Sequence, residues 1–117
     1  MSSGAAKALP LEVSVHDLKR ALDEGGADGG AVVVDVRESW EAEIAKIAGA
    51  VLIPLGEFAQ RAKTLPRDKP IYIHCHHGGR SMQATQWLRR NGYDKVANVA
   101  GGIDAWSQEI DPATPRY

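Results

Sequence analysis

Short apolar runs without polar alternation recur along the chain, separated by stretches with helical spacing. The first helical stretch has Ser14 as its N-cap, sets Leu18, Ala21 and Leu22 on one face, and ends at Gly25-Gly26. A glycine-rich turn from Gly25 to Gly30 leads into Ala31-Val32-Val33-Val34-Asp35-Val36. That β-branched run is expected of a strand covered on both faces. Good helix formers fill Glu38 to Ile47, Val51-Leu52-Ile53 is a short strand before Pro54, and Glu57 to Lys63 suits a short helix closed by Pro66. Pro70-Ile71-Tyr72-Ile73-His74 is the next buried strand. A helix follows from Arg80 to Arg90, with Ala84, Trp87 and Leu88 on one face and Asn91-Gly92 at its end. Val96 to Val99 is the last strand, and Gly101-Gly102 opens a final helix through Ile103 and Trp106. Strands alternating with helices predict an α/β domain with a mainly parallel sheet. Trp40, Trp87 and Trp106 are expected in or beside the core.

Composition narrows this picture without changing it. The 117 residues fit a single domain, 1–117, with residues 1–8 a flexible start and 111–117 a tail. Hydrophobic and charged fractions of 44% and 25% are those of a soluble globular protein. A net charge of −1 gives no bulk attraction to nucleic acid or an anionic membrane, and no apolar run reaches membrane-spanning length. The small, polar start has no apolar signal segment, so a cytoplasmic location is expected. There is one cysteine, Cys75, which excludes an internal disulfide and two-thiol redox chemistry within one chain. Its chemical partner must be a ligand or another molecule.

Cys75 lies in the stretch that carries the chemistry, His74-Cys75-His76-His77-Gly78-Gly79-Arg80-Ser81, between a buried strand and a helix. Open α/β sheets place their sites at such carboxyl ends. The helix N-terminus presents unpaired N–H groups and a partial positive charge. Gly78 and Gly79 permit a backbone that curls those N–H groups into an anion nest. Arg80 adds a cation, and His76 and His77 add more when protonated. Each effect favours thiolate over thiol and makes Cys75 a candidate nucleophile. Ser81 suits both a helix cap and a bond to the sulfur. Asp35 and Arg37, at the end of a buried strand, either support this loop or form a local salt bridge. Four consecutive ligand-type residues seldom converge on one ion, so no metal site is expected. Gly101-Gly102 lacks the Lys-Ser/Thr of a phosphate loop and reads as a helix-start turn.

The pattern Cys75-x-x-Gly78-x-Arg80-Ser81, with Ala84, Leu88, Gly92-Tyr93 and Val96 after it, resembles the active-site segment of rhodanese homology domains. So do Asp35-Val36-Arg37 with Glu41, Ile47-x-Gly49-Ala50-x-x-Ile53-Pro54, and Gly101-Gly102-Ile103-x-Ala105-Trp106. The segment from Asp111 to Tyr117 is similar to the end of some bacterial single-domain members. The resemblance implies a five-stranded parallel sheet flanked by helices on both faces, and sulfane sulfur transfer through a Cys75 persulfide. Residues 76–81 would be the cradle and no metal or organic cofactor would be needed. The partners implied are a small sulfur donor such as thiosulfate and a thiol, cyanide or protein acceptor.

Only four residues separate Cys75 from Arg80. Phosphatases of this fold use a loop longer by one residue, so the spacing suits a sulfur atom and disfavours a phosphatase or arsenate reductase. Two departures from the family stand out: Ala45-Lys46 stands where many members have Gly-His, so any role of that histidine is absent, and His76 stands where thiosulfate-active members often have a basic residue, which bears on the donor. The alternative from another class is a non-catalytic module that binds persulfide, oxyanion or a regulatory partner.

Overall fold

The computed structural model describes residues 9–25 and 30–117. The expected flexible start at 1–8, and the part of the glycine-rich turn at 26–29, lie outside the described residues. Along the chain run β1 (Glu12–Val13), α1 (Val15–Gly25), β2 (Val32–Asp35), α2 (Ser39–Ile44) and β3 (Val51–Leu52). They are followed by α3 (Phe58–Arg61), β4 (Ile71–His74), α4 (Gly79–Arg90), β5 (Val96–Val99) and α5 (Gly102–Glu109). Single 3-10 turns, Leu55–Glu57 and Ala62–Thr64, flank α3. The five strands form one parallel sheet in the order β1-β5-β4-β2-β3.

Covering both faces explains the unbroken apolar runs. Successive strand residues point to opposite faces. Val34, Ile73 and Val96 join Phe58, Ala84 and Leu88 in one core, under α3 and α4. Val33, Tyr72 and Ala97 join Leu18, Ile103 and Trp106 in the other, under α1 and α5. Three polar side chains break the apolar sequence of the central strands: Asp35, His74 and Asn98, all fully or almost fully buried. Asp35 pairs in register with His74, and Asn98 with Ile73, so all three gather at the carboxyl end of the sheet. Connections leave β2 and β4 in opposite directions, which opens a crevice between their ends.

Three local expectations are corrected. The helix expected over 38–47 ends at Ile44, because Ala45 turns extended and its carbonyl accepts Arg37 Nη2 at 2.6 Å. Trp40 is 59% exposed instead of lying in or beside the core, although Trp106 is buried and Trp87 packs edge-on against Phe58. The edge strand β1 was not among the strands read from apolar runs: two residues carry no readable period, and its place is set by pairing Glu12 with Asn98 and Val13 with Val99.

Candidate active site

The loop after β4 is built from two directions. From its own side, Gly78 caps α4 with φ 121° and ψ −10°, a backbone that disfavours any side chain. That turn aims the Gly78 N–H at Cys75 Sγ at 3.1 Å, and the first turn of α4 adds the Ser81 N–H at 3.4 Å and Ser81 Oγ at 3.3 Å. From the opposite side, α5 grips the loop's carbonyls: Ile103 N–H donates to Cys75 O at 2.9 Å and Asp104 N–H to His76 O at 3.1 Å. Carbonyl and N–H point opposite ways across a trans peptide. Holding the His76 carbonyl toward α5 therefore turns the His77 N–H toward the sulfur. Gly102 makes the approach possible, since a β-carbon there would overlap the Cys75 and His76 carbonyl oxygens. Gly101-Gly102 is thus more than the helix-start turn its sequence predicts.

Cys75 is 2% exposed. Burial pushes its thiol up, but the Ser81 hydroxyl and the N–H groups of Ser81, Gly78 and His77 together bring it below its ordinary value. The N–H groups of Gly78, Ser81 and His77 thus close on the sulfur, and the two glycines differ in what they contribute. Gly78 alone supplies the left-handed turn; Gly79 is an ordinary first residue of α4 with open space around it.

The expected cations behave differently. Arg80 forms a two-pronged ion pair with Glu41, Nη1 to Oε1 at 2.7 Å and Nη2 to Oε2 at 3.0 Å. Its charge is met by a carboxylate from α2, so it is not a free cation beside the sulfur. The His76 ring lies between the Tyr117 ring, 3.9 Å away and 8° from parallel, and the His77 ring at 4.0 Å. Burial, and then neighbouring His77, lower the His76 pKa, which leaves that imidazole neutral at physiological pH. His77 is exposed and stands 3.8 Å from Asp104.

Asp35 and Arg37 form the salt bridge that their spacing allows, in a buried setting. Arg37 Nε and Nη2 donate to Asp35 Oδ1 and Oδ2 at 2.9 and 2.8 Å, and Nη1 donates to Tyr117 Oη at 2.8 Å. Tyr117 Oη donates onward to Glu41 Oε2 at 2.7 Å. The pair thus reaches the Cys75 loop indirectly, through Tyr117 and the Glu41–Arg80 bridge. The 111–117 segment folds back over the site to make this possible, with Thr114 buried and Arg116 bound to Asp104 at 2.9 Å.

Glu41 is held well below the ordinary carboxylate range. Arg80 holds its carboxyl down at about 2, against an ordinary 4.5, with help from the Glu38 N–H and Tyr117. A depressed carboxylate stabilises the fold fully above its unfolded pKa, and that contribution disappears as pH falls toward the folded pKa. The stability advantage of wild type over Glu41→Gln, measured by denaturant unfolding, is expected to be constant above pH 4.5 and to close between 4.5 and about 2. An advantage that does not change with pH would contradict the pairing.

His76, His77 and Asp104 bring ligand-type atoms within 4.8 Å of one another. The two imidazoles are stacked 26° from parallel, so their lone pairs run side by side instead of converging, and Asp104 already accepts from Arg116 and Gln108. Four residues of the site have roles that the sequence did not reveal: Glu41 as partner of Arg80, Gly102, Tyr117, and Asn98, whose Oδ1 accepts the Ser81 hydroxyl. Only Glu41 offered a local signal, the Glu38-x-x-Glu41 capping box that opens α2.

The chain and its fold have counterparts among known proteins. A family model described as "Rhodanese-like domain" matches residues 14–109. The rhodanese-like/PpiC domain-containing protein 12 of Arabidopsis thaliana, a chloroplastic protein, is 36% identical over 91% of this chain and 37% of its own length. A rhodanese-related protein from Thermoplasma volcanium superposes with a TM-score of 0.76 at 32% identity, covering 86% of this chain and 94% of its own. The human single-domain sulfurtransferase TSTD1 superposes with a TM-score of 0.74 at 29% identity, covering 86% and 98%. The chain spans 26% to 57% of the length of three curated relatives that it matches. A parallel five-stranded sheet, a cysteine cradled by amides at a strand–helix junction, and a matching family model covering most of the chain lead to one conclusion: this chain belongs to the rhodanese-like domain family.

Proposed function

We propose that the protein is a sulfurtransferase that carries sulfane sulfur on Cys75 as a persulfide. The observation that carries this reading is the ring of donors on Sγ, two backbone N–H groups and the Ser81 hydroxyl at 3.1 to 3.4 Å. Donors arranged in advance stabilise charge on sulfur without reorganising during the reaction. The Cys75 thiolate attacks the outer sulfur of a donor. With thiosulfate, the Sγ–S bond forms, the donor's S–S bond breaks, and sulfite leaves with the bonding pair. An acceptor nucleophile then takes the outer sulfur and returns Cys75 as thiolate; cyanide would leave as thiocyanate. Two half-reactions through one covalent intermediate give ping-pong kinetics. The chemistry needs no metal or organic cofactor.

The electrostatics favour a donor of low charge. Arg80 is paired with Glu41 and His76 is neutral, so a thiosulfate dianion meets little uncompensated positive charge. A low-molecular-weight or protein persulfide is the better donor, and a thiol or a protein cysteine the acceptor. We place the reaction in the cytoplasm, where a lone thiol stays reduced. Among the described residues no helix is long and apolar enough to cross a membrane.

The test is steady-state sulfur transfer with thiosulfate and with glutathione persulfide as donors. Parallel reciprocal plots are expected, with kcat/KM higher for the persulfide. Intersecting plots would contradict the covalent intermediate. An aryl phosphate is expected to be inert, because the Cys75–Arg80 loop is short; brisk hydrolysis would instead favour phosphoryl chemistry.

A further inference from the structure

A line of polar contacts runs from the edge of the sheet to the sulfur. Glu12, exposed on β1, accepts from Asn98 Nδ2 at 2.8 Å. Asn98, wholly buried on β5, accepts from Ser81 Oγ through its Oδ1. Ser81, wholly buried on α4, lies with Oγ 3.3 Å from Cys75 Sγ. A carboxylate only accepts, so Glu12 fixes which way the Asn98 amide faces: NH2 outward, carbonyl oxygen inward. A hydroxyl has one proton, and Ser81 has two acceptors for it. The sulfur and the Asn98 carbonyl compete.

We propose that Asn98 is a positioning residue for sulfur transfer, holding the Ser81 hydroxyl proton when Cys75 carries sulfur and yielding it to Sγ when Cys75 is a free thiolate. This inference rests on the sulfurtransferase reading for its loaded state, and on the hydrogen-bond geometry alone for its unloaded state. In the persulfide, Sγ is bonded to a second sulfur and carries no charge, so it is a weak acceptor. The hydroxyl then has Asn98 as its partner and is not left unsatisfied in the interior. In the thiolate, Sγ is the stronger acceptor and the hydroxyl rotates to it. If the sulfur is protonated instead, the thiol donates to Ser81 Oγ while the hydroxyl donates to Asn98. The hydroxyl keeps its own proton throughout; only its direction changes. Asn98 therefore supports the thiol and the persulfide at the expense of the thiolate.

The consequence runs opposite to that of ordinary damage. Asn98→Leu removes the competing acceptor at similar volume, so the hydroxyl is free for the sulfur alone. The fraction of Cys75 ionised well below the midpoint is expected to rise about tenfold, the value of one hydrogen bond to a charged group. Ser81→Ala is expected to lower that fraction about as much. In the double variant Asn98 has nothing left to direct, so it should titrate like Ser81→Ala. A thiolate with a lower pKa is a weaker nucleophile and a better leaving group. Asn98→Leu should accordingly load sulfur more slowly per thiolate and discharge it faster.

The titratable and charged groups on the elements packed around the Cys75 loop are unchanged in the Asn98 and Ser81 variants. They are His74 on β4, His76 and His77 in the loop, Arg80 on α4 with Glu41 on α2, and Asp35 and Arg37 at the end of β2. Asp104 on α5 and Tyr117 complete the set, with Glu12 behind Asn98. Glu12 supplies a second route to the same test from the surface. Glu12→Ala frees the Asn98 amide to turn its NH2 toward Ser81 Oγ, which again sends the hydroxyl proton to sulfur. Glu12→Gln removes the charge but retains an acceptor for Asn98, and so isolates the purely electrostatic part.

The experiment follows the 13Cβ resonance of Cys75, the single cysteine, against pH in the unloaded full chain. The expected result is a lower midpoint for Asn98→Leu, a higher one for Ser81→Ala, and a double variant matching Ser81→Ala. An unmoved or raised midpoint in Asn98→Leu, or a double variant that differs from Ser81→Ala, overturns the proposal. Should Asn98→Leu not fold, the comparison of Glu12→Ala with Glu12→Gln decides: a lower midpoint for the alanine variant is expected, and equal midpoints overturn it. Sulfur loading of wild type, followed separately, fails only if the sulfurtransferase reading fails.

Discussion

Cys75→Ser is expected to abolish sulfur loading and thiocyanate formation while leaving the fold and thermal unfolding nearly unchanged. Serine keeps the size and the contacts with the Gly78 and Ser81 N–H groups, so the cradle has no reason to collapse. Its hydroxyl stays protonated at neutral pH, whereas the thiol it replaces is held below its ordinary pKa by Ser81, Gly78 and His77 despite burial. A serine-bound sulfur would also lack the S–S bond on which reversible transfer depends. The loss should therefore be complete, down to the background of donor and acceptor alone. Circular dichroism and a thermal melt of the variant check that the fold is intact. Residual turnover above background in a folded Cys75→Ser would remove Cys75 from the reaction.

Gly102→Ala should be the most damaging conservative change outside Cys75. Its backbone sits at φ +57°, and a methyl group would come within 2.7 Å of the His76 carbonyl carbon as well as overlapping two carbonyl oxygens. Strain and overpacking of this kind cost about 2–5 kcal/mol. That is a drop of roughly 10 °C or more in Tm for a domain of this size. Relief is available only by moving α5 away from the loop, which would free the Cys75 and His76 carbonyls and let the His77 N–H turn off the sulfur. Loading should therefore slow even in the fraction that folds. Gly79→Ala is the matched control, because nothing lies within 4 Å of its added carbon. It should be neutral or slightly stabilising, by about 0.5 kcal/mol. Similar losses at both glycines would mean that α5 does not set the loop.

The contrast between those glycines marks where sequence reasoning stops. Gly78-Gly79 reads as a flexible pair, yet only contact with β5 and α5 tells which glycine is needed for its backbone. The apolar runs at 31–36, 70–74 and 96–99 were readable because strands covered on both faces need no polar alternation, and the loop between strand and helix followed from them. The charges were readable only as charges. Arg80 and Glu41 lie 39 residues apart in the chain, so nothing local announces that the guanidinium is already paired. His76 carries no sign that an aromatic ring 41 residues away will stack on it, or that burial will lower its pKa. Asn98 carries no readable signal within its strand; its meaning comes from Glu12 and Ser81, which reach it from different elements. Local chemistry was legible, and partners brought in by topology were not.

The central claim is that the donors on Cys75 hold a sulfur that comes and goes. Intact-protein mass spectrometry, after brief exposure to glutathione persulfide and removal of excess donor, tests it most directly. The expected spectrum shows one added sulfur atom, located on the peptide containing Cys75 and lost again on addition of cyanide with stoichiometric thiocyanate. An unmodified mass in a folded protein, or added sulfur that cyanide does not remove, would contradict it.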